Sequence, residues 1–154
     1  MTKEGRKELI VSAIQNGTVI DHIPAHAVIR VMRILGLDQC PQQVLFGINL
    51  DSRKYGKKGL IKVQDKFFDS LEINKISLVA PTATLIEIRD FEVVVKKHVE
   101  IPETVEGFIK CFNPKCITNH EQIITRFAVI DKTDLKLHCH YCEKITKKEN
   151  VVFI

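Results

Sequence analysis

Four of the five cysteines in this 154-residue chain fall in two short stretches, "CFNPKC" and "CHYC". Cys111, Cys116, Cys139 and Cys142 follow the pattern Cys-x4-Cys-x22-Cys-x2-Cys. Two short-spaced pairs, each inside a turn, can bring four thiolates together. Four thiolates are a ligand set for tetrahedral Zn2+ and leave no open position for water. A site of that kind holds a fold and activates nothing, so a zinc hydrolase is disfavoured. A redox Cys-x-x-Cys at Cys139 and Cys142 would leave Cys111 and Cys116 without a role. A disulfide framework does not suit a reducing compartment. His138 and His140 flank Cys139 and could substitute for a ligand, but they read better as solvent-facing or as supports beside the sulfurs. The expectation is one structural zinc per chain.

Other catalytic equipment is missing from the sequence. There is no Gly-x-x-x-x-Gly-Lys-Ser/Thr loop, no Gly-x-Gly-x-x-Gly turn, no His-Glu-x-x-His and no Gly-x-Ser-x-Gly. Asp21 and His22 are adjacent, and neighbours on a regular strand face opposite sides of a sheet, so a direct dyad is not expected. At a strand's end both could still reach a ligand lying across the edge. Lys54, Lys57, Lys58, Lys62, Lys96 and Lys97 mostly read as cations of solvated turns and strand ends. Lys62 and Lys96 differ because each lies within or at the end of an apolar strand, where a lysine can point over a sheet toward phosphate. No residue set argues for an enzyme.

The elements that must carry these residues divide unevenly. Charged residues make up 27% and hydrophobic ones 45%, a globular balance. No apolar run approaches the roughly 18 residues of a membrane span, and "LIV" near the N-terminus is too short for a signal peptide, which points to the cytoplasm. The net charge of +4 suits an acidic partner without demanding nucleic acid. The polar stretch "KKHVEIPETVEG" reads as a hinge, giving domains at 1–101 and 102–154. In the first, "ELIVSAI" and "GTVIDHI" read as strands, "PAHAVIRVMRILGL" as a helix starting at Pro24, and "QQVLFGINL" and "LIKVQD" as a hairpin. "FFDSLEINKIS" reads as a short helix, then "ATLIEIRD" and "FEVVVKKHVEI" as strands. From the strand around Val19 the order β-α-β-β-α-β is that of the split βαβ, ferredoxin-like arrangement, an α+β fold with an antiparallel sheet. In the second domain "QIITRFAVID" and "DLKLHC" read as strands of a small zinc-ribbon-like β domain. A ferredoxin-like domain with a zinc ribbon could bind RNA. That reading needs exposed aromatics on the central strands, and "KKGLIKV" has leucine and isoleucine there, with aromatics at only 6%.

Taken in order, "GTVIDHIPA", "FGINLDSRKYGKKGLIKV", "LVAPTATLIEIRDFEVV", "CFNPKC" and "CHYCEK" resemble the regulatory chain of aspartate carbamoyltransferase over nearly the whole length. The resemblance implies a non-catalytic subunit with an N-terminal allosteric domain that binds CTP or ATP and forms a homodimer. It also implies a C-terminal zinc domain that docks on catalytic chains, with catalytic trimers bridged by regulatory dimers in pyrimidine biosynthesis. Carried over by position, Val11, Ser12, Ala13 and Ile14 would lie against the base, and Val19, Asp21 and His22 would line ribose and phosphates. Lys62 would reach ribose and base, Ile88, Phe91 and Val93 would wall the base, and Lys96 would bind phosphate. Asn113, Lys115, Glu143 and Lys144 would meet the catalytic chain. The resemblance departs at Ser12, Ile86 and Phe91, where better-known members carry glutamate, asparagine and tyrosine. Lost polar partners of this kind shift ligand discrimination by about 1–3 kcal/mol each.

Overall fold

The structure, a computed structural model, describes residues 14–154. The strand expected at "ELIVSAI" and the site positions Val11, Ser12 and Ala13 lie outside the described residues, apart from Ile14 at the end of that strand. The chain forms two compact units divided between Val99 and Glu100.

In the first unit β1 (Gly17–Ile23) is followed by a 3-10 turn at Ala25–Ala27 and helix α1 (Val28–Ile34). Then come β2 (Val44–Ser52), β3 (Gly56–Gln64), helix α2 (Ser70–Val79), β4 (Thr84–Arg89) and β5 (Glu92–His98). The sheet order is β2-β3-β1-β4-β5, with every pairing antiparallel. This is the expected split βαβ order with β5 added at one edge.

Alternation along the strands explains the layering. Ile20, Ile61 and Leu85 stand in one cross-strand row on the helix-covered face, all 0% exposed. Val28 and Val31 of α1 and Ile76 of α2 close over them, while Arg30 and Arg33 stay exposed. A β-carbon at Gly59 would lie 2.0 Å from Val28 Cγ2, so glycine is what lets α1 seat on β3. Gly36, at φ 67, ends the α1 segment in the left-handed region.

Three details differ from the sequence reading. The first helix does not start at Pro24, which stays extended at ψ 133; a 3-10 turn at Ala25–Ala27 comes first and α1 begins at Val28. The second helix starts at Ser70 because Asp69 caps it: its side chain accepts from the Glu72 amide, and Glu72 returns a bond to the Asp69 amide. Phe67 and Phe68 therefore precede the helix. Phe68 enters the core and Phe67 stacks under Arg89 at 4.0 Å. The supposed hinge is partly structured, since β5 runs through His98 and the Val99 amide binds the Ala83 carbonyl.

The second unit contains β6 (Thr104–Glu106), β7 (Ile109–Lys110), β8 (Arg126–Asp131), β9 (Lys136–Cys139), β10 (Ile145–Lys147) and β11 (Val152–Phe153). They form a four-stranded sheet, β10-β9-β8-β6, and a two-stranded one, β11-β7. Only β8 and β9 were legible as strands. Phe127 and Leu137 are 0% exposed and Val105 1%, and Phe108, Ile109 and Leu135 are buried with them beside Cys111, Cys116 and Cys139.

Candidate metal centre and ligand-facing sheet

The metal-ligating residues arrive from two turns. Cys111 and Cys116 bracket a loop closed by backbone: the Cys116 amide binds the Asn113 carbonyl at 3.0 Å, and Asn119 Nδ2 donates to the carbonyls of Cys111 and Asn113. Cys139 ends β9, and Cys142 follows within a turn whose Glu143 takes φ 61 so that its amide reaches the Cys139 carbonyl. The four sulfurs lie within 4.8 Å of one another, and all five cysteines of the chain are free thiols. Sγ of Cys111 is 3.7 Å from that of Cys142, and Sγ of Cys116 is 3.8 Å from that of Cys139. A tetrahedron with metal–sulfur bonds of about 2.3 Å has edges of about 3.8 Å. The donor set thus fits a tetrahedral metal ion.

Electrostatics agree with metal capture. Burial pushes the Cys111 and Cys139 thiols up. Burial also acts upward on Cys142, but bonds from the Asn113 side chain, the Lys144 amide and the neighbouring sulfurs outweigh it and bring this thiol down to about 7. A bound cation removes the remaining protons. His138 projects from β9 on the face opposite Cys139, and His140 is exposed beside Tyr141, so neither belongs to the cluster. Of the expected interface residues, Lys115, Glu143 and Lys144 are exposed and Asn113 is half-buried, its Oδ1 accepting from the Lys115 amide.

The uncovered face of the first unit gathers most of the remaining candidates. One cross-strand row runs Leu45, Lys62, Val19, Ile86, Lys96 from β2 to β5. Ile14, Val19 and Leu60 form a buried aliphatic cluster here, with Leu50, Ile86 and Ile88 packed against it. Phe91 and Val93 stand at 64% and 60% exposure beyond Ile88, at the turn into β5. Lys62 is 6% exposed and has no ion-pair partner among the described residues, and burial lowers its pKa. Lys96 is exposed.

Asp21 and His22 overturn the expectation that they face opposite sides. A bulge interrupts the β1–β3 ladder between Ile20 and Ile23, and His22 takes φ 56. The imidazole consequently reaches Thr84, which stands opposite Asp21. Asp21 Oδ1 accepts the His22 amide at 2.6 Å and pairs with Lys58 Nζ at 2.8 Å. The Tyr55 ring lies edge-on to His22 at 5.9 Å. The His22 pKa is lowered, chiefly by burial; Asp21 opposes this, while Lys58, Lys54 and His98 add to it.

Sequence reasoning set Lys58 aside among the solvated lysines and missed Thr84 and His98. Alternation could have found the first, because residues 58, 60 and 62 share a face of β3. The other two became visible only through the β1–β4–β5 register.

The family described as aspartate carbamoyltransferase regulatory chain, allosteric domain, matches residues 9–100, and the metal binding domain of the same chain matches residues 103–152. A protein of Bacteroides fragilis named aspartate carbamoyltransferase regulatory chain is 51% identical over 151 residues, covering 98% of this chain and 99% of that one. A protein of the same name from Pyrococcus horikoshii is 51% identical over 147 residues, covering 94% and 97%. One from Parabacteroides distasonis is 48% identical over 152 residues, covering 99% of each.

Proposed function

The chain belongs to the family of aspartate carbamoyltransferase regulatory chains, a non-catalytic subunit with an allosteric and a metal-binding domain, and we propose that its first domain, 1–101, binds nucleoside triphosphates. CTP and ATP are the effectors, and their occupancy sets the activity of catalytic trimers in pyrimidine biosynthesis. Val11, Ser12, Ala13 and Ile14 lie along the base, with Ile88, Phe91 and Val93 beside it. Val19, Asp21 and His22 line the ribose and phosphates. Asp21 Oδ1 is already engaged, so Oδ2 takes the sugar hydroxyl. Lys62 and Lys96 supply the positive ends.

The second domain, 102–154, holds one Zn2+ on Cys111, Cys116, Cys139 and Cys142 and offers Asn113, Lys115, Glu143 and Lys144 to the catalytic chain. The ion does no chemistry, because four thiolates leave it no open position. Two copies of the chain pair through the first domain and bridge two catalytic trimers. The setting is the cytoplasm, where thiols stay reduced.

One observation carries the effector reading: two lysines of different strands share one row with only aliphatic side chains between them. The test is co-expression with the catalytic chain of the same organism, followed by aspartate saturation curves with and without CTP and ATP. A shift of the half-saturating aspartate concentration supports the reading. Identical curves with every nucleotide would overturn it.

A further inference from the structure

Two imidazoles from different strands are tied to one hydroxyl. Nδ1 of His22, near the end of β1, lies 3.2 Å from Thr84 Oγ1. Nδ1 of His98, the last residue of β5, lies 3.2 Å from the same oxygen. Thr84 is 2% exposed and sits opposite both Asp21 and His98 in the ladder. The two Nδ1 atoms are thus within twice that distance of each other. Lys96 stands two residues back along β5, on the same side of the strand as His98. The Nε2 atoms of both rings have no hydrogen-bond partner among the described residues.

The shared hydroxyl constrains the protons. Threonine has one O–H to donate. If both rings are neutral, a ring that accepts this proton on Nδ1 carries its own proton on Nε2. A ring that donates Nδ1–H to the oxygen has a bare lone pair on Nε2. The neutral pair therefore offers at most one Nε2–H, whichever ring accepts. Offering two requires one further proton, placed on Nε2 of the ring whose Nδ1–H is already given to Thr84.

We propose that His98 is a phosphate ligand of the effector site alongside His22, and that a polyphosphate held by both Nε2–H groups draws one proton into the site from solution. The proposal rests on the nucleotide reading above and names a contact and a linkage which that reading does not contain. The ligand class is a nucleoside di- or triphosphate, whose oxygens accept from both rings and from Lys96. The charged surroundings of the pair are Asp21, Lys58 and Lys54 toward His22, with the neutral Tyr55 phenol edge-on to its ring, and Lys96, Lys97 and Glu100 along the chain at His98. Asp21 favours an imidazolium at His22, and Lys58, its ion-pair partner, disfavours one. Burial of His22 acts in the same direction, keeping that ring neutral near neutral pH in the free chain. The proton is therefore taken up with the ligand.

Isothermal titration of the full chain with ATP and CTP, near pH 7.5 in buffers of different ionisation enthalpy, counts that proton. The expected result is uptake of about 0.5–1 proton per site by the parent chain. His98→Gln keeps an exposed polar side chain and the parent's melting temperature; it should bind about five- to tenfold more weakly, with uptake near zero. Thr84→Val keeps both rings, removes the shared oxygen, and should also lower the uptake. If His98→Gln binds with the parent's affinity and the parent's proton count, the proposal is wrong while the nucleotide reading stands. Binding by the parent with no proton uptake overturns it as well. If the parent binds neither nucleotide, the reading beneath it fails.

Discussion

Lys62 and Lys96 stand in one cross-strand row on the same sheet face, separated by Val19 and Ile86. Three interstrand steps of about 4.8 Å set their strands about 14 Å apart. Lys96 is exposed, and its side chain has no hydrogen-bond or ion-pair partner among the described residues. Lys96→Ala should leave the melting temperature unchanged and weaken ATP or CTP binding about tenfold. The loss should shrink as salt is raised, because the contact is charge-led. Calorimetric titration at two ionic strengths checks both effects, and equal affinity would take Lys96 out of the site.

Lys62 is the opposite case. It is 6% exposed, burial lowers its pKa, and it has no ion-pair partner among the described residues. A lowered lysine pKa means that the charged form costs stability in the fold. That cost is fully present below the folded pKa and disappears as pH rises toward the usual 10.5. Lys62→Met should therefore raise stability by about 1 kcal/mol at neutral pH. The gap from the parent should close in the alkaline range, and nucleotide binding should fall. Urea midpoints across pH measure the first effect. A destabilised Lys62→Met would mean that the lysine is structural.

Removing the metal should unfold residues 100–154 and spare the first unit, since metal-binding energy is folding energy in so small a β unit. Elemental analysis should find one zinc for every four of these cysteines, and Cys111→Ser should lose it. Treating the assembled complex with a mercurial, then separating by size, should yield active catalytic subunits that no longer respond to nucleotides. An intact complex without zinc would contradict the assembly role.

Gly59 gives a prediction about packing alone. Any β-carbon there would lie 2.0 Å from Val28 Cγ2, and Val28 is 0% exposed. Gly59→Ala must displace α1 from β3, at a cost of about 1–3 kcal/mol. Thermal unfolding reads this directly, and an unchanged melting temperature would show that the helix seats differently.

Edge strand β2 exposes Leu45, Phe46 and Ile48 at 56%, 49% and 39%. An apolar edge of this kind pairs with another strand unless it is protected. Phe46→Lys should shift the chain from dimer to monomer in sedimentation velocity. A parent that is monomeric at high micromolar concentration would remove the pairing from the proposed function.

What the sequence disclosed, and what it hid, follows from range. The cysteine cluster was legible because short spacing and thiol chemistry are local. The split βαβ order was legible because Val28 and Val31 keep a helical period and β1, β3 and β4 are apolar. The start of α2 was misplaced, although Asp69 and Glu72 spell a capping box, because Phe67 and Phe68 drew the apolar pattern forward. Strands β6, β7, β10 and β11 are two or three residues long, too short to show alternation. The reach of His22 to Thr84 depends on a positive φ at a non-glycine residue and on a register 62 positions apart, and no local pattern encodes either.

The place of β1 in the sheet has a kinetic consequence. The β2–β3 hairpin closes between Ser52 and Gly56, and the β4–β5 hairpin between Arg89 and Glu92, so each can form from neighbours in the chain. Strand β1 lies between them and pairs Val19 with Lys62 on one side and Ile86 on the other. Those pairings close long loops and form late. Lys62 and Lys96 belong to different hairpins, so the lysine row does not exist until β1 zips the two together. A nucleotide that bridges the row binds only the closed sheet. It should slow unfolding far more than it speeds folding, holding the seam shut.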